Sequence, residues 1–105
     1  MKIKNETLID LCFIRSVGEG FEKEIDELLQ SMFVEQHLYW YLDGKQAEGA
    51  NIVVAELRGM STWESEEDVL NFLENQAVPQ FWEYLQGYQI QVFAAKKGSA
   101  NCGSR

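Results

Sequence analysis

Five polar side chains fall where β-strand alternation gathers them on one side of a sheet: Asp10, Glu56, Arg58, Gln89 and Gln91. A carboxylate set among partly apolar neighbours can take a proton from a phenol or an acidic carbon. A guanidinium with amides beside it can orient the anion that results. Asp10 and Glu56 are therefore the candidate bases, and Arg58 and Gln91 the groups that would bind or steady a substrate. Cys12 and Phe93 share the alternation, and Trp40 or Tyr41 would ring the patch, so a polar aromatic molecule could sit there. The same residues admit a plainer reading, in which Arg58 forms a salt bridge to Asp10 or Glu56 inside a subunit interface. A register shift of one residue would turn all of them to the other side.

The elements that must position these groups follow from periodicity. Residues 6–15 (ETLIDLCFIR) alternate as a strand, with Ile9, Leu11 and Phe13 on an apolar face and Leu8, Asp10, Cys12 and Ile14 on the other. Gly18 and Gly20 break that strand. Phe21, Ile25, Leu28, Leu29 and Met32 then repeat as one stripe of a helix over 21–34. Residues 37–42 (HLYWYL) and 51–58 (NIVVAELR) are rich in β-formers and predict an antiparallel pair joined by a longish exposed loop. Ser65 followed by Asp68 marks a helix start, with Val69, Phe72 and Leu73 as its stripe. Pro79 is not tolerated inside a helix, which predicts a break near Ala77–Val78 and a short second helix ended by Gly87. A last strand spans about 88–95.

Two β-α-β units of this kind predict an α+β, ferredoxin-like fold: a four-stranded antiparallel sheet in the order 4-1-3-2, with both helical regions on one face. The opposite face then lacks cover although half its side chains are apolar. Such a face meets a second subunit, lines a pocket, or does both. The expected domain covers residues 1–95, and 96–105 (KKGSANCGSR) reads as a disordered tail.

The bulk composition narrows the partners. The chain has 105 residues, 46% of them hydrophobic, which is one globular domain. A net charge of −8 leaves no basic stripe for nucleic acid, and acidic membranes would repel it. Many of the acids cluster at helix starts, where the helix dipole favours them. Two cysteines, Cys12 and Cys102, make neither a disulfide framework nor a metal site, and one histidine, His37, cannot build a metal site alone. No cofactor is expected. The residues after Met1 show no signal-peptide pattern and no stretch is apolar enough to span a bilayer, so the cytoplasm is the expected location.

The stretch from Met60 to Leu73, with Trp63 and Ser65 opening a helix after the strand NIVVAELR, resembles the W-x-S signature of the antibiotic biosynthesis monooxygenase family. That family belongs to the dimeric α+β barrel superfamily, and the resemblance in order and spacing extends over most of residues 6–95. It implies a homodimer whose sheets face each other and a small-molecule cavity between sheet and helices. It also implies cofactor-independent oxygenation of an aromatic or polyketide-like compound. Trp63 would line the cavity wall or simply pack at the helix start. Haem-degrading relatives use an Asn, a Trp and a His. Here Gly59 or Met60 stands where the Asn would be sought and the second helical region has no histidine, so the resemblance does not imply haem degradation. The alternative is a homodimer that binds a ligand or partner without turnover. No G-x-S-x-G, H-E-x-x-H, P-loop or G-x-G-x-x-G occurs, which sets those chemistries aside.

Overall fold

The computed structural model describes residues 5–16 and 18–93, and the expected tail lies outside them. The elements run β1 (Asn5–Ser16), α1 (Phe21–Met32), β2 (His37–Ala47), β3 (Ala50–Ser61), α2 (Glu66–Gln76), α3 (Pro79–Tyr84) and β4 (Leu85–Phe93). The strands form one antiparallel sheet in the order β2-β3-β1-β4, the predicted ferredoxin-like arrangement.

Alternation along the two central strands decides which face is covered. Ile9, Leu11 and Phe13 of β1 and Val53, Ala55 and Leu57 of β3 are all but sealed from solvent. Phe21, Ile25, Leu29 and Met32 of α1, Val69 and Leu73 of α2 and Phe81 of α3 close over them. Phe33, just past α1, completes the layer against Phe72 and Trp40, with ring centroids 5.3 and 6.3 Å apart. The space between sheet and helices, where the resemblance implied a cavity, is thus occupied by side chains.

The helix boundaries have local causes. Ser65 caps α2 by accepting from the Asp68 N–H at 3.3 Å, and the Asp68 carboxylate accepts from the Glu64 N–H at 2.9 Å. Pro79 stands at the start of α3, where its missing N–H costs nothing. At the far end of the sheet Arg15 pairs with Glu24, whose other carboxylate oxygen accepts from Tyr84 Oη at 3.1 Å. The Arg15 guanidinium also lies 4.4 Å from the Phe21 ring centroid, so β1, α1 and α3 are tied at one corner.

Two expectations need correction. Residues 43–50 are no long loop: the β2–β3 ladder continues through Asp43↔Val54 and Lys45↔Ile52 to Ala47↔Ala50. The connection is the two-residue turn Glu48-Gly49, with φ of 51° and 81°, the type I′ geometry that matches strand twist. A glutamate in left-handed backbone is strained, whereas asparagine tolerates it. Glu48→Asn should therefore raise stability by about 1 kcal/mol, read as a higher urea midpoint with unchanged slope; an unmoved midpoint would count against the turn. The last strand also begins earlier than expected, at Leu85, because the chain re-enters the sheet through an irregularity opposite Cys12 and Phe13.

Candidate functional site

The uncovered face of the sheet is built in rows. Gln89, Asp10, Glu56 and Tyr41 stand side by side across all four strands, and Gln91, Leu8, Arg58 and Tyr39 form the next row. Below Asp10 come Gly87, Cys12, Val54 and Asp43; beyond Leu8 come Phe93, Glu6, Met60 and His37. Asp10, Glu56, Arg58, Gln89, Gln91, Cys12 and Phe93 therefore share one face, as their spacing predicted.

Within this patch Arg58 Nη1 donates to Asp10 Oδ1 at 3.0 Å and to the Leu57 carbonyl at 2.8 Å. The pair is diagonal, since Arg58 sits directly opposite Leu8, and both side chains are partly exposed. In such a setting the ion pair contributes little, roughly 0 to 1 kcal/mol. Glu56 lies directly across from Asp10, a like-charge arrangement that disfavours the sheet slightly. Among the described residues no ion pair is formed by Glu56. The face thus presents one engaged carboxylate, one unengaged carboxylate and a guanidinium with donors to spare.

A depression of about 230 Å³ opens beside this pair, lined by Asp10, Leu11, Cys12, Val54, Gly87, Tyr88 and Gln89. Gly87 makes it, because the row through Cys12 lacks a side chain there and a Cβ at Gly87 would meet only open space. Sequence reasoning used Gly87 as the end of the short helix and not as part of the site; it lies inside β4 instead, and a glycine within a strand often marks close approach by something else. Cys12, a free thiol, borders the depression. Tyr39 and Tyr41 are 61% and 70% exposed and meet edge to face with centroids 6.5 Å apart, while Phe93 is half exposed.

Trp40 and Trp63 are elsewhere. Trp40 lies on the helix-covered side, where its Nε1 donates to Asp26 Oδ1 of α1 at 2.9 Å, and Tyr41 takes the place beside the patch. Trp63 packs on Phe72 of α2 with centroids 5.0 Å apart. Its carbonyl accepts from Asn5 Nδ2 at 2.6 Å and its N–H donates to Ser61 Oγ at 3.2 Å. Ser61 in turn shares a 2.6 Å hydrogen bond with the buried Thr7 hydroxyl. The tryptophan of the signature therefore anchors the strand-to-helix corner on the far side of the sheet from Asp10 and Arg58.

No family model and no curated protein matches the sequence. Among solved structures the chain is similar to a de novo designed protein, Foldit4, with a TM-score of 0.52 and 12% identity over 88% of this chain and 98% of that one. At that identity the likeness speaks for the fold alone.

Proposed function

We propose that this protein is a cytoplasmic homodimer that holds a small molecule, an aromatic or polyketide-like compound, against the bare faces of its two sheets. The observation that carries the reading is the bare face itself. Leu8, Cys12, Ile14, Ile52 and Val54 are only half-buried there and three aromatic rings stand exposed around them. Strands of up to 12 residues spaced about 4.8 Å apart give a face of roughly 700 Å² per copy, close to what a specific interface needs. Charge supports a second copy as the occupant. Glu56 and Arg58 stand two residues apart on one strand and one face. A two-fold axis between them would set each Glu56 against the partner copy's Arg58, since an isologous interface pairs residues reciprocally.

In a catalytic form of this reading, cofactor-independent oxygenation, the substrate anion takes the place of Glu56 against the partner copy's Arg58, which leaves Glu56 free to act as the base while Asp10 stays paired with Arg58 of its own copy. Arg58 and Gln91 would then steady the substrate anion. The Asp10–Arg58 pair also favours a second reading, binding without turnover, because it closes part of the polar patch. A thermal-shift screen with aromatic acids and quinols tests the site. A ligand should raise the melting temperature of the natural protein, and Gly87→Val, whose Cβ would meet no atom within 4 Å and whose methyls would enter the depression, should abolish that rise while folding normally. No responding compound, or an undiminished rise in Gly87→Val, would overturn the site. Glu56→Gln separates the two readings: turnover is lost with binding kept in the first, and there is no turnover to lose in the second.

A further inference from the structure

A face-to-face dimer leaves the outer edge of β2 open, and that edge has features of its own. In the order β2-β3-β1-β4 it is a terminal strand of 11 residues, so among the described residues one side of its backbone has no strand partner. Exposed edges are usually blunted by charge or proline. The half from His37 to Leu42 carries neither proline, lysine nor carboxylate. Beside it lies a shallow, open groove of about 610 Å³, lined by Trp40, Tyr41 and Leu42 of β2 and by Glu22, Lys23 and Asp26 of α1. Two carboxylates face one ammonium along the α1 side, in a chain whose net charge is −8.

We propose that the β2 edge accepts an extended peptide whose alternate side chains are lysine or arginine. Main-chain hydrogen bonds to β2 would supply the attachment, as in strand addition generally, and the groove would select the side chains. A basic residue pointing to the helix side lays its methylene stem on Trp40 and Leu42 and brings its charge to Glu22 and Asp26. The intervening residues point the other way, beside the exposed Tyr39 and Tyr41 rings, where β-branched side chains fit. A second copy of this chain is the poorer occupant, since pairing β2 with β2 would bring two acidic walls together.

The test uses the full chain and a capped seven-residue peptide of alternating Lys and Val or Thr. Titration followed by amide hydrogen exchange should show saturable binding that protects those β2 amides not bonded to β3. Methylating the peptide's alternate amide nitrogens should weaken binding about a hundredfold. Glu22→Lys, a change on an exposed helix face, should weaken it about tenfold and improve binding of the Glu-for-Lys peptide. Absence of binding, indifference to amide methylation, or protection mapping away from β2 would overturn the proposal. So would protection of the same amides in the protein alone with rising concentration, which would assign the edge to a second copy.

Discussion

Gly59→Ala should destabilise the protein by about 3 kcal/mol, one of the largest effects of any single methyl group in the molecule. Gly59 lies in β3 between Thr7 of β1 and Leu38 of β2. A Cβ there would stand 2.2 Å from the His37 carbonyl oxygen and 2.9 Å from the Leu38 Cα. Those are backbone atoms of a paired strand, so no rotamer change relieves the overlap and β2 must move as a unit. Because β2 is an edge strand, relief would come by peeling its first residues from β3, which also displaces Tyr39 from the patch. Urea unfolding of the variant should show a lower midpoint, with β2 amides exchanging fastest. A loss below about 0.5 kcal/mol, the range of ordinary surface changes, would mean that β2 and β3 approach less closely at this point.

Phe81→Ala should cost about 4 kcal/mol and act first on α3. That helix has six residues, too few to be stable without tertiary contacts. Its fully buried residue is Phe81, whose ring meets Phe13 of the central strand at 5.5 Å and 73°. Truncation leaves a cavity over Phe13 and removes the fully buried anchor of α3, leaving Tyr84, which packs on Phe21 at 5.2 Å, to hold the helix. Near-UV circular dichroism should lose the signal of Trp82, which meets Phe81 edge to face at 5.0 Å, before the far-UV signal changes. Phe81→Leu should recover more than half of the loss. Equal costs for the two variants would show that volume at this position does not matter.

Much of the architecture was legible because strand and helix periods leave strong marks. The alternation Ile9, Leu11, Phe13 against Leu8, Asp10, Cys12 fixed which side of β1 is buried, and with it the shared face of Asp10, Glu56 and Arg58. Ser65 and Pro79 marked the helix boundaries by chemistry that tertiary contacts did not override. Three features were hidden for physical reasons. Asp43-Gly44 reads as a loop, yet their ladder to Val53 and Val54 persists because the turn at Glu48-Gly49 closes the hairpin, and Glu-Gly is a weak turn signal. In HLYWYL both faces carry large side chains, so alternation could not assign Trp40; its register opposite the buried Leu57 sets it on the helix side, where Asp26 of α1 accepts from its Nε1. The depression depends on a side chain that Gly87 lacks, and pattern reading weighs side chains that are present.

A second copy covering the bare sheet face, as proposed, is tested most directly by molar mass in solution from sedimentation equilibrium. A species of twice the 12.1 kDa chain mass is expected, and Val54→Lys, in the middle of that face, should dissociate it to folded single chains. A natural protein that stays at the single-chain mass at every concentration would contradict the proposal.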